Sequence, residues 1–109
     1  MPKISIKIDP ESGLLKCNIF PSNMILEEFF ESEIQGDPAF IRYLNQSIDN
    51  LFSDTLEING NAHCLKLTKS VYEVTSLYEA TETRVMGPLS DFIYFLEEWE
   101  NALSSHQAS

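Results

Sequence analysis

Residues 55–78 have the sequence TLEINGNAHCLKLTKSVYEVTSLY. Three short runs in this stretch have the composition of strands; the runs are 55–58, 62–68 and 71–78. Asn59-Gly60 favours a hairpin turn, because a type I′ turn requires positive φ at both central residues. A second turn is expected near Lys69-Ser70. The segment therefore predicts three consecutive antiparallel strands.

A second hairpin is predicted near the N-terminus. Ile4, Ile6 and Ile8 alternate with polar residues, and residues 14–20 have the composition of a returning strand. The intervening residues 9–13 are Asp-Pro-Glu-Ser-Gly. They favour a turn, because proline fixes φ and glycine accepts positive φ.

Two helices are predicted between the hairpins. The first follows the break at residues 21–23 and ends at Gly36, a residue type that commonly terminates helices. Its buried stripe has helical spacing and consists of Leu26, Phe29, Phe30 and Ile34. The second helix begins with Asp37 as N-cap and Pro38 in the first turn, and it extends to about Ser53.

The last helix is predicted from about Leu89 to Leu103, and residues 104–109 are predicted to form a flexible tail. Residues 79–87 fit either a loop or one more short strand near 83–86. The predicted order is ββ-αα-βββ-α, which describes one α+β domain over residues 1–103. In this domain an antiparallel sheet of about five strands carries three helices on one face.

The bulk composition indicates an ordinary globular protein. The chain has 109 residues, of which 43% are hydrophobic, and this suits a single hydrophobic core. No apolar run is long enough to cross a bilayer, and the first residues alternate instead of forming the apolar stretch of a secretory signal. A cytoplasmic location is therefore expected.

The charge is the unusual property of this chain. Seventeen acidic residues against seven basic ones give a formal net charge of −10. Residues 21–54 carry seven acids and Arg42 as their only base, residues 88–109 carry four acids and no base, and the remaining segments are neutral. The predicted helices thus carry all the net charge. Such a surface repels nucleic acid and anionic membranes, and it favours a basic protein as partner.

Two acidic patches are candidate contact surfaces. Glu27 and Glu31 are four residues apart with no cation at helical spacing, although like charges there are mildly destabilising. The acids of the last helix lie in its second half, where the helix dipole disfavours negative charge. Improved solubility is an alternative reason for such acidity. The candidate partner-binding residues are Glu27, Glu28, Glu31, Glu33 and Asp37 in the first acidic patch, and Glu97, Glu98 and Glu100 in the second.

Signals for catalysis are weak. His63 and Cys64 are adjacent in a predicted strand, so their side chains should point to opposite faces and cannot form a dyad, although pairing of His63 with Cys17 stays open. The sequence contains no phosphate-binding loop, dinucleotide motif, nucleophile elbow or zinc-ligand spacing. No cofactor, metal or catalytic residue is predicted, and a small enzyme is the least favoured alternative.

The acid-rich helix segment 26–31, the Asn59-Gly60 hairpin and the closing helix segment 89–100 together resemble bacterial immunity proteins of contact-dependent growth-inhibition systems. The resemblance extends over the whole chain and rests on size, acidity and element order. It implies an antitoxin that binds a toxin domain, often a basic nuclease, and occludes its active site. It assigns no individual residue. An acidic adaptor or regulator of a basic protein, such as a DNA-binding factor, is the alternative.

Overall fold

A computed structural model describes residues 2–21, 23–51, 55–60, 62–77 and 83–108. The first half of the chain forms β1 (Lys3–Ile8), β2 (Leu15–Phe20), α1 (Met24–Phe29), a π-helical turn (Phe30–Ile34) and α2 (Pro38–Asp49). The second half forms β3 (Leu56–Asn59), β4 (His63–Leu67), β5 (Val71–Ser76), β6 (Thr83–Pro88) and α3 (Leu89–Ala108).

The α+β class is confirmed, but the strands form two sheets. The described strands number six, with β1 and β2 as a separate antiparallel hairpin and β3-β4-β5-β6 as a four-stranded antiparallel meander. The prediction of one sheet of about five strands was wrong on this point. Residues 83–88, which fitted a loop or a strand, form β6 and pair with β5. The two sheets do not join, because the outer edge of β2 faces α1 and not another strand.

The turn of the N-terminal hairpin has the predicted chemistry. Gly13 has φ of 73°, and its N–H donates to the Asp9 carbonyl at 2.7 Å. The Asp9 carboxylate accepts hydrogen bonds from the Ser12 hydroxyl and the Glu11 N–H. These bonds lower the pKa of Asp9, with the Ser12 bond as the largest cause. They hold the turn in place at residues 9–13.

The β3–β4 hairpin is confirmed, but its turn is not centred on Asn59-Gly60. Asn59 pairs with Cys64, and the Gly60 N–H donates to the His63 carbonyl at 2.8 Å, so the chain reverses after Gly60. Neither Asn59 nor Gly60 has positive φ. Gly60 has a different role, since it leaves room for the carboxylate of Glu33, which a Cβ at this position would displace.

The helix starts were predicted better than the helix ends. Asp37 caps α2 as expected, its carboxylate accepting the N–H of Ala39 at 3.1 Å and of Phe40 at 3.2 Å. The first helix terminates at Gln35, which has φ of 32°, and not at Gly36.

The last two helices also end at other residues than predicted. Helix α2 ends at Asp49, and the predicted continuation through residues 52–54 lies outside the described residues. Helix α3 continues beyond Leu103 to Ala108, so the tail predicted at 104–109 begins within the helix. Its flexibility stays a prediction.

One hydrophobic core connects the helices with both sheets. Aromatic rings form its centre, where Phe30 lies 5.8 Å from Phe92 and 5.6 Å from Trp99 between ring centroids. The hairpin contributes Leu15, Cys17 and Ile19, and the four-stranded sheet contributes Leu65, Leu67, Tyr72 and Val74. In the described ranges, no helix is both long and apolar enough to span a membrane.

Candidate interaction surface

The first acidic patch lies against the edge of β2. Glu27, Glu31 and Gln35 follow one another at steps of four residues along α1 and the π-helical turn. Each accepts a hydrogen bond from a backbone N–H of β2: Ile19 to Glu27 at 2.7 Å, Cys17 to Glu31 at 2.9 Å, and Leu15 to Gln35 at 2.8 Å. We call these three side chains the edge ladder. It occupies the position that a third strand of the hairpin would take.

The π-helical turn helps to align the edge ladder with the strand. An α-helix has about 3.6 residues per turn, so four residues rotate by slightly more than one full turn. The π-helical turn is wider, so four of its residues rotate by slightly less than one full turn. The opposite deviations keep the three side chains nearly in line. Four α-helical residues rise about 6 Å, close to the roughly 6.6 Å covered by two strand residues. Helix and strand therefore stay in register over the two steps that join the three side chains.

Gln35 makes the most extensive contacts of the edge ladder. Its amide donates to the Leu15 carbonyl at 3.1 Å and to the Glu31 carbonyl at 2.8 Å. The backbone carbonyl of Gln35 accepts a hydrogen bond from the indole N–H of Trp99 at 2.8 Å. These bonds keep a non-glycine residue in a backbone conformation that costs about 1–3 kcal/mol. Gln35 thus links β2, the π-helical turn and α3.

The other acids of the first acidic patch have separate positions. Glu33 accepts the N–H of Ala62 at 3.3 Å and so holds the β3–β4 turn. Asp37 is the N-cap of α2. Glu28 has 58% of its side chain exposed, and its carboxylate lies 3.7 Å from Nε2 of His63. Glu28 and Asp37 are the exposed residues of this patch, and Asp37 uses its carboxylate as the cap of α2.

His63 is buried behind Glu28. The residue is 3% exposed, and its ring meets the Phe29 ring edge-on at 6.1 Å between centroids. Within the described ranges, neither ring nitrogen has a hydrogen-bond partner. The described residues contain no group of three or more His, Cys, Asp or Glu side chains that could hold a metal ion. His63 is therefore a core residue whose ring nitrogens lack the hydrogen bonds that buried polar groups usually make.

The two cysteines are free thiols of low reactivity. Burial, together with the neighbouring Glu31 and Glu27, raises the pKa of Cys17 to about 12. Burial and Glu57 also raise the pKa of Cys64. Cys64 lies on the sheet face opposite His63, as predicted, with its sulfur 3.9 Å from Glu57. Because the thiolate is the nucleophile, raised pKa values make both residues poor catalysts.

The second acidic patch lies on α3. Glu97 is exposed, whereas Glu98 and Glu100 are half-buried. In the part of the chain that the structure describes, none of the three forms a hydrogen bond or an ion pair. Tyr94, one turn earlier, is 36% exposed, while Trp99 is fully buried in the core. This surface combines carboxylates that form no ion pair among the described residues with an accessible aromatic ring.

Sequence reasoning found the acids but missed the role of Gln35. The signal was present, since Glu27, Glu31 and Gln35 share a spacing of four and a strand precedes them. It was not decisive, because sequence does not show which strand edge a helix covers. No known protein family, curated protein or solved structure matches the chain.

Proposed function

We propose that the protein is an immunity protein that binds a basic, nuclease-like toxin domain and blocks it stoichiometrically in the cytoplasm. The second acidic patch on α3 is the principal contact in this proposal. The observation that carries it is the absence of any hydrogen bond or ion pair, among the described residues, for Glu97, Glu98 and Glu100.

The free protein gains little from these three charges. They are crowded within one turn on a helix that has no Lys or Arg, and Glu97 and Glu100 have a spacing at which like charges repel. The helix dipole contributes little, because α3 extends to Ala108 and all three acids lie near its middle. The repulsion is small, on the order of 0.2–0.5 kcal/mol. On binding a basic partner, the same charges would contribute favourably. The cost to the free state therefore supports a role in the bound state.

The first acidic patch has a secondary role in this proposal. Glu27, Glu31, Glu33 and Asp37 accept backbone hydrogen bonds within the fold. A partner that engaged them directly would compete with those bonds. They still contribute to the negative field that attracts a basic partner, and Glu28 is open to direct contact.

Co-expression with the product of the gene immediately upstream, followed by co-purification, tests the proposal. Association rates are then measured against ionic strength for the wild type and a triple variant, Glu97→Gln, Glu98→Gln and Glu100→Gln. A matched triple variant changes three exposed acids elsewhere: Glu11→Gln, Asp49→Asn and Glu57→Gln.

We expect the α3 variant to associate about tenfold more slowly at low salt, with a shallower salt dependence, because it loses local steering. The matched variant should change the rate much less. Equal effects from both triples would reject α3 as the contact. Failure of the two proteins to form a complex would reject the immunity function.

A further inference from the structure

Among the described residues, three grooves border α3, and each has an α3 carboxylate in its wall. The first has a volume of about 380 Å³ and contains Asp91. The second, of about 300 Å³, lies between α2 and α3 and contains Glu100. The third, of about 240 Å³, lies between β1 and α3 and contains Glu98. We call the third the β1–α3 groove.

The β1–α3 groove differs from the other two in its charge. Lys3 lines the first groove together with Asp91, and Arg42 lines the second together with Glu100. Among the described residues, the lining of the β1–α3 groove consists of Ile4, Ile6, Glu98, Asn101, Ala102 and Ser105, with no basic side chain. In this groove alone of the three, the carboxylate has no cation of the chain beside it.

The chemistry of the groove matches a long cationic side chain. Ile4, Ile6 and Ala102 provide aliphatic contacts, Asn101 and Ser105 make the rest of the lining polar, and Glu98 provides the negative charge. Arginine and lysine bury their methylene stems on apolar surface and keep the charged end at a polar partner. The guanidinium group in addition fits a carboxylate through paired hydrogen bonds.

We propose that the β1–α3 groove receives an arginine side chain of the basic partner, with Glu98 accepting the guanidinium group. This inference rests on the proposed function, because it names the partner group that the α3 surface binds. Asn101 supplies a second acceptor through its side-chain oxygen.

Glu97 provides the matched control for Glu98. The two residues are adjacent on α3, but Glu97 is exposed and lines none of the three grooves. Both charges attract a basic partner from a distance, whereas only Glu98 holds a group within a groove. Glu97→Gln should therefore slow association, whereas Glu98→Gln should in addition speed dissociation.

A titration with Nα-acetyl-arginine amide, followed by amide chemical shifts, tests the groove without the toxin. Nα-acetyl-citrulline amide, which has the same shape without the charge, is the control probe. We expect millimolar binding with shifts confined to residues 4–6 and 98–105. Glu98→Gln and the groove-filling variant Ala102→Leu should each abolish these shifts, and Glu97→Gln should retain them.

The outcomes separate this inference from the proposed function. Equal shifts with citrulline, shifts spread over all acidic residues, or no localised shift would overturn the groove assignment. If arginine binds in the groove but the toxin forms no complex, the groove stands and the immunity function fails. If the complex forms and Glu97→Gln and Glu98→Gln have equal dissociation rates, the function stands and the groove assignment fails.

Discussion

The side-chain amide of Gln35 binds both backbone groups of Leu15, accepting its N–H at 2.8 Å and donating to its carbonyl at 3.1 Å. A residue of an adjacent antiparallel strand would make the same pair of bonds, so the Gln35 side chain takes the place of one such residue at the edge of β2. Exposed strand edges invite pairing with other chains. The edge ladder therefore protects β2, and two of the acids predicted for partner binding also stabilise the fold.

Gln35→Glu should destabilise the protein, although the two side chains have the same size. The carboxylate keeps an acceptor for the Leu15 N–H but loses the donor to the carbonyls of Leu15 and Glu31. We expect a loss of about 1–3 kcal/mol in the free energy of unfolding, measured by urea denaturation at pH 7.5. Gln46→Glu, at an exposed position of α2, is the matched control. A similar small effect from both substitutions would contradict the role of Gln35.

Glu31 should respond differently to alanine and to glutamine. Glu31→Ala leaves the N–H of Cys17 without its partner and should cost about 1–3 kcal/mol in the free energy of unfolding. Glu31→Gln keeps an acceptor. It loses the exposed ion pair with Lys16, at 3.5 Å, but also removes repulsion from Glu27, so its cost should stay below about 0.5 kcal/mol. Glu97→Ala, which removes an exposed carboxylate on α3, is the control. Equal losses from the alanine and glutamine variants would show that the charge, and not the hydrogen bond, stabilises the fold.

The fold class followed from local patterns, and the exceptions have physical reasons. Strand alternation and the Asp37 cap depend on neighbouring residues, so the sequence predicts them. Gln35 at positive φ beside an available Gly36 depends on a strand twenty positions away. The turn after Gly60 depends on the Glu33 carboxylate, which comes from another element. Long-range contacts of this kind overruled the local preferences.

The two thiols should differ in accessibility. Cys17 is 5% exposed and has a pKa of about 12, whereas Cys64 is half-buried on the open face of the sheet. Ellman's reagent at pH 8 should therefore modify one thiol in the folded protein and the second only after unfolding. Cys64→Ser should remove the reaction of the folded protein. Modification of Cys17 in folded Cys64→Ser would contradict its burial.

The raised pKa of Cys17 also predicts a loss of stability in alkali. Below the ordinary value of 9.0, both folded and unfolded states keep the proton; between 9.0 and about 12 the unfolded thiol ionises and the folded one does not. The free energy of unfolding should fall across this range, because the unfolded state binds fewer protons. Denaturation at stepped pH should show a shallower fall for Cys17→Ser, whose hydroxyl does not ionise there. Identical slopes for both proteins would exclude Cys17 as a cause.

His63→Leu should not destabilise the protein, despite replacing a buried residue. Each buried polar group without a hydrogen bond costs about 1–3 kcal/mol, and leucine removes both ring nitrogens while keeping an apolar contact with Phe29. The Glu28 carboxylate, 3.7 Å from Nε2, is too far for a hydrogen bond, and its exposure makes the loss of this contact small. Thermal unfolding at pH 7.5 should show an unchanged or higher midpoint. Leu65→Ala, in the same strand and also buried, is the contrasting control and should lower it strongly. A marked loss from His63→Leu would mean that a nitrogen has a partner in solution.

Gly60 and Glu33 should be coupled energetically. Gly60→Ala places a Cβ where the Glu33 carboxylate lies, so the side chain must move and weaken its bond to the Ala62 N–H. We expect a loss of about 1–3 kcal/mol in the free energy of unfolding. In a Glu33→Ala background the carboxylate is gone and only the His63 backbone oxygen stays close, at 3.2 Å from the new Cβ, so Gly60→Ala should cost less than about 1 kcal/mol. A double-mutant cycle measured by urea denaturation gives this coupling directly.

Gly36→Ala, where a Cβ meets nothing within 4 Å, is the matched glycine control and should not couple to Glu33. Additive effects of Gly60→Ala and Glu33→Ala would show that the turn depends on the glycine backbone itself and not on the approach of the carboxylate.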